Sequence, residues 1–167
     1  MIEEDYNPVL SPLQDAAAIG DVDRVRALIA TGFDVNEWEE GDSPLHLAIE
    51  HGHDEVAAVL LAAHANPNAS SGPFLVPLHL STTAAQVRML VEAGAWLDSE
   101  DCCGHQPLYY AHSDEHALSM IEAGAEVVDE AWADSEFVRK AYALHVCGGQ
   151  QKRFDVPAVG YPPRRRA

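Results

Sequence analysis

Positive charge is almost missing from most of this chain. No lysine or arginine lies between Ala27 and Val87. Residues 1–138 hold 26 acids against three bases (Arg24, Arg26 and Arg88), a formal −23, while residues 139–167 hold one acid and seven bases, +6, giving −17 in all. Such a body repels nucleic acid and anionic membranes and attracts cationic surfaces; the same charge also serves solubility. Cysteine is scarce too. Three residues, two of them adjacent as Cys102-Cys103, make a poor disulfide framework, and a reduced, cytoplasmic chain is expected. No apolar run is long enough to span a bilayer. The acidic start, Met1-Ile2-Glu3-Glu4-Asp5, argues against a secretory leader. A glycine-rich phosphate loop and a nucleophile elbow are both lacking, and no pair of carboxylates is placed in a pocket. Catalysis is therefore not expected, nor any cofactor.

What the chain does have is internal repetition. Ser11-Pro12-Leu13-Gln14 stands 32 positions before Ser43-Pro44-Leu45-His46; Pro77-Leu78-His79 lies 33 after Pro44-Leu45-His46, and Pro107-Leu108-Tyr109 a further 30 on. Gly32-Phe33, His64-Ala65, Gly94-Ala95 and Gly124-Ala125 mark four corresponding helix ends. Within each unit the spacing predicts two short helices. Ser43 caps the first and Pro44 suits its opening position. Val56, Val59, Leu60 and Ala63 form the apolar stripe of the second. Ser11-Pro12-Leu13-Gln14 and Thr83-Ala84-Ala85-Gln86 both read as capping boxes. Neither helix of a pair buries its face alone, but a stack of pairs does.

Gly41-Asp42-Ser43-Pro44-Leu45-His46-Leu47-Ala48 and Gly52-His53-Asp54-Glu55-Val56 resemble the ankyrin-repeat family, as do Gly32-Phe33-Asp34-Val35-Asn36 and Gly94-Ala95-Trp96-Leu97-Asp98. The resemblance implies an all-α solenoid of stacked helix–turn–helix pairs with short projecting loops. Repeats fall at about 7–38, 39–70, 71–100 and 101–130, with a C-terminal cap at about 131–148 and a Pro/Arg-rich tail over 149–167. Three departures stand out. About three residues are missing around Ser81-Thr82-Thr83-Ala84, and the fourth repeat is shortened in the same way around His112-Ser113-Asp114. His64 takes the place of a helix-ending glycine. Tyr109 takes the place of the motif histidine. By the resemblance, His46 and His79 are structural and tie neighbouring loops together. His51 and His53 flank the Gly52 turn and are expected to be exposed.

The resemblance also implies that the loop tips, or fingers, and the inner helices line one concave binding surface. The residues it places there or on the adjoining acidic rim include Glu37, Trp38, Glu39, Glu40, Asp42, Glu50, His51, Phe74, Leu75, Glu100, Asp101, His105 and His112, together with Cys102 and Cys103. A tryptophan among acids on a loop tip has the makings of a binding hot spot with a steering field around it. The expected function is protein–protein interaction with a basic partner, in its sharpest form a bacterial inhibitor or immunity protein that masks a cationic toxin such as a nuclease. Abundant alanine and arginine with little lysine fit a GC-rich bacterial genome. The free protein is expected to be a monomer, with no nucleic acid or membrane bound to its body. The alternatives are a general scaffold or adaptor whose charge serves solubility only, and a small metal-dependent enzyme using His112 and His116. The His112-Ser113-Asp114-Glu115-His116 order is not that of a zinc protease, and Cys102-Cys103 lacks the spacing of a redox or zinc pair, so no metal site is expected.

Overall fold

The computed structural model describes residues 10–36, 41–72, 74–127, 136 and 138–141. Over residues 10–127 the elements run α1 (Pro12–Ile19), α2 (Val22–Ala30), α3 (Pro44–Glu50), α4 (Asp54–Ala62), α5 (Pro77–Leu80), α6 (Ala84–Glu92), a 3-10 helix (Pro107–Tyr110) and α7 (Asp114–Glu122). Residues 136 and 138–141 are also helical, and no strand occurs among the described residues. Helices this short are marginal in isolation. They persist because α1, α3, α5 and the 3-10 helix pack in succession as an inner row, while α2 against α4 and α6 against α7 build an outer row. Leu13, Leu45, Ile49, Leu60, Leu78, Leu90, Leu108 and Met120 are the largest apolar side chains fully buried between the rows. Val138 and Ala141, which are also buried, join the same core. The fold is the all-α solenoid of stacked pairs. The rest of the expected cap and the whole tail lie outside the described residues.

Two ladders of hydrogen bonds fix the stack. In the first, the side chain at the fourth position of the first three motifs reaches the next repeat. Gln14 Nε2 donates to the Asp42 carbonyl (2.8 Å), His46 Nε2 to that of Leu75 (2.9 Å) and His79 Nε2 to that of His105 (3.2 Å). Each acceptor lies two residues before a helix-opening proline. Gln14 therefore does for the first repeat what histidine does for the next two. The second ladder runs along the helix exits. Asn36 donates to the His64 carbonyl (3.0 Å) and accepts from the Asn66 N–H (2.7 Å); Asn68 donates to the Gly94 carbonyl (2.9 Å) and accepts from the Trp96 N–H (2.8 Å). The next position in register is Asp98, whose carboxylate has no hydrogen to give a carbonyl. Asp98→Asn is expected to add about 1 kcal/mol, read as a higher urea midpoint with an unchanged slope.

The shortened repeats show how the missing turn is repaired. α3 runs for seven residues, but α5 is a single turn of four and its counterpart in the fourth repeat is a 3-10 helix. Shortening leaves the backbone N–H groups of Thr82 and His112 without helical partners, and the third residue of the following helix satisfies each. Gln86 Oε1 accepts from Thr82 N (2.8 Å), and His116 Nδ1 accepts from His112 N (3.3 Å). Both side chains also cross to the preceding repeat. Gln86 Nε2 donates to Asp54 Oδ1 (2.8 Å) and the Ile49 carbonyl (3.3 Å); His116 Nε2 meets Ser81 Oγ (3.1 Å). Thr83 caps α6 as read from the sequence, accepting from the Gln86 N–H (3.2 Å). The reciprocal bond from Gln86, however, goes to Thr82 rather than to the capping residue. By contrast, Ser11 and Gln14 form both halves of their box. His64 does adopt the left-handed conformation, with φ 66°.

Candidate partner-binding surface

Since each rung of the first ladder ends on the loop before the next inner helix, the loops are held in register along one edge of the stack. Asp42 is half-buried with its carbonyl engaged, and Leu75 is likewise half-buried with its carbonyl held by His46. Phe74 lies beside Leu75 with φ 63° and is 63% exposed. An exposed aromatic on a left-handed backbone is strained without any packing return, a pattern often found at binding sites. Glu50 and His51 are exposed at the C-terminal end of α3, Glu100 is exposed on the fourth finger and His112 is exposed before α7. Glu37, Trp38, Glu39 and Glu40 lie outside the described residues.

The bases are segregated. Among the described residues up to 127, the lysines and arginines are Arg24 and Arg26 on α2 and Arg88 on α6, all on the outer row. Arg24 pairs with Asp15 (2.8 Å) and Arg26 with Glu55 (3.1 Å). The described parts of the inner helices and fingers carry no lysine or arginine, so among the described residues Glu50, Asp98 and Glu100 have no lysine or arginine beside them on that side.

Asp101 does not belong to the exposed rim. Its side chain is only 3% exposed and organises the fourth finger from inside. Oδ1 accepts from the backbone N–H groups of Cys103 (2.7 Å) and His105 (2.9 Å), and Oδ2 accepts from the Tyr110 hydroxyl. Burial alone raises this carboxyl; the hydrogen bonds from Tyr110, His105 and Cys103 outweigh it and hold it down at about 2. The same bond to Asp101 pushes the Tyr110 phenol up. Tyr109, at the motif-histidine position, stacks on the His105 ring at 3.9 Å. His105 is half-buried as a result.

One other expectation is corrected. His53 is half-buried, not exposed: its ring lies over Gly20 and its Nε2 bonds to the Ala18 carbonyl (3.1 Å). A Cβ at Gly20, where φ is +79°, lies only 2.6 Å from that ring, which explains the glycine. The alternative that pairs His112 and His116 on a metal meets rings already engaged otherwise. Their rings stack at 6.0 Å, and both nitrogens of the fully buried His116 are engaged, one by His112 N–H and the other by Ser81. Burial, then the neighbouring His112, lowers the His116 ring to about 4, so it is neutral at physiological pH. Cys102 and Cys103 are exposed thiols.

The sequence model for ankyrin repeats, in three copies, matches residues 2–71. Residues 2–71 thus carry ankyrin repeats, and the helix pairs of the ankyrin-type solenoid continue in the same register through α7. No curated protein matches the chain. Ankyrin repeats generally mediate protein–protein interaction, and the family is typically non-catalytic. Among the described residues, no helix is long and apolar enough to cross a membrane.

Proposed function

We propose that this protein captures a basic partner protein through the acidic side formed by its fingers and inner helices, and that it acts as a bacterial inhibitor of a cationic toxin. The observation that carries this reading is the segregation of charge: the three bases of residues 1–138 sit on outer helices, and two of them are already paired with acids. A field of one sign along one side raises the association rate of a cationic partner and disfavours anionic competitors. Glu50, Glu100 and the Glu37–Asp42 finger supply the field. Trp38, Phe74 and Leu75 supply apolar anchors, and His51, His105 and His112 supply polar contacts. A toxin that binds a phosphate backbone presents the complementary charge.

Affinity capture from the source cell at low salt, with the recovered protein then purified, tests this reading. The recovered protein should be basic, and Trp38→Ala with Glu39→Ala should weaken its binding by roughly tenfold or more. Full retention of affinity by the double variant would count against this mode. The exposure of Phe74 and Trp96, each 63%, favours a second reading, a scaffold that binds a neutral or acidic partner through apolar contacts. Its hallmark is binding insensitive to salt.

A further inference from the structure

The fourth finger compresses four residues of metal-ligating type into Asp101-Cys102-Cys103-Gly104-His105. We propose that this finger binds a thiophilic divalent cation of the zinc class, through the thiolates of Cys102 and Cys103, the imidazole of His105 and the carboxylate of Asp101. One ligand atom from each of Asp101, Cys103 and His105 lies within 4.8 Å of the others. The two sulfurs are 3.8 Å apart, and His105 Nδ1 stands 3.6 Å from Asp101 Oδ2. In a tetrahedral zinc site two thiolates sit about 3.8 Å apart and a nitrogen–oxygen pair about 3.3 Å apart, close to the two separations found here, and Cys102 joins the Asp101–Cys103–His105 group through its contact with Cys103.

The surroundings already do what an outer shell does for a metal site. Tyr110 and two backbone N–H groups orient the Asp101 carboxylate, leaving a lone pair on Oδ2. Tyr109 stacks on the His105 ring, and the His105 carbonyl is held by His79. Both thiols face solvent, so a cation has a path in. Its binding exchanges two S–H protons for two metal–sulfur bonds and releases those protons to water, so affinity falls as pH falls. The ion's two positive charges offset part of the thiolate and carboxylate charge. Gly104 has φ +82°, a conformation that glycine adopts without strain and that turns the chain from Cys103 back to His105.

The full chain, kept reduced, is titrated with Co²⁺ at neutral pH and then with Zn²⁺. The expected result is one Co²⁺ per chain, with a thiolate-to-cobalt charge-transfer band and tetrahedral ligand-field bands that Zn²⁺ abolishes. Cys103→Ser and His105→Asn should each weaken binding about a hundredfold. Cys147→Ser and His112→Asn should leave it unchanged. Circular dichroism checks that each variant is folded, and a Zn²⁺-dependent rise in thermal midpoint, absent in Cys103→Ser, gives a second readout. Absence of the charge-transfer band overturns the proposal. So does a band that survives Cys102→Ser combined with Cys103→Ser, or one that disappears with Cys147→Ser.

Discussion

Replacing His46 by alanine is expected to cost about 4 kcal/mol of folding stability. The ring is fully buried. Its Nδ1 accepts from the Ser43 hydroxyl (2.8 Å) while Nε2 donates to the Leu75 carbonyl (2.9 Å). Truncation leaves a hydroxyl and a carbonyl without their partner and opens a void between α3 and the third finger. A loss of that size is a large share of the roughly 5–15 kcal/mol that holds a domain together. The chain contains its own control. Gln14 makes the equivalent reach with an amide, so His46→Gln should keep the bond to Leu75 and cost only about 1–2 kcal/mol. Urea unfolding of the two variants checks the difference. Equal losses would mean that the bond to the next repeat matters little and that packing alone decides.

The second large effect is loss of stability on mild acidification. His46, His79 and His116 are all lowered, in each case first by burial. The carbonyls of Leu75 and His105, and the charges of Asp42 and Glu50 near His46 and Asp101 near His79, oppose that shift without overcoming it. Below the ordinary histidine value of 6.5 the unfolded chain takes up protons that the folded chain refuses, so stability is present above 6.5 and falls with pH. For His116 the loss runs from 6.5 down to about 4. By about pH 5 it amounts to roughly 1–2 kcal/mol after discount for solvent screening, and the other two rings add to it. Below that pH, protonation of exposed carboxylates relieves the repulsion within the acidic body and works the other way. Denaturant midpoints at neutral pH and near pH 5 should therefore differ clearly for the natural chain and less for His116→Leu. An unchanged midpoint would show that the buried rings accept protons in the folded state.

The repeat itself was legible because it is written in spacing. Prolines open the inner helices, glycines or His64 close the outer ones, and the registers agree. Even the departure at Ser81-Thr82-Thr83-Ala84 was visible as missing residues. Its repair was not. That Gln86 and His116 turn back to satisfy stranded N–H groups depends on the space between two helices, which spacing does not reveal. For the same reason Gln86 looked like half of a capping box and His116 like half of a metal pair. Asp101 was misplaced because an acid on a loop reads as solvated, whereas here the finger closes around it and Tyr110 seals it. The cluster around Cys102 and Cys103 does not read as a metal motif in the sequence, because its cysteines are adjacent rather than a spaced pair. The signal in the sequence is density, four residues of ligating type within five positions. The segregation of the arginines onto the outer helices depends on which helices form which row, and helical spacing alone does not assign the rows.

The proposed function has an acidic side of this stack gripping a basic protein. The direct measurement is the equilibrium affinity for the captured partner across a series of ionic strengths. A steady fall in affinity as salt rises is predicted, steepest in the natural chain and shallower after Glu50→Gln with Glu100→Gln. Affinity that stays level across the series would contradict the claim.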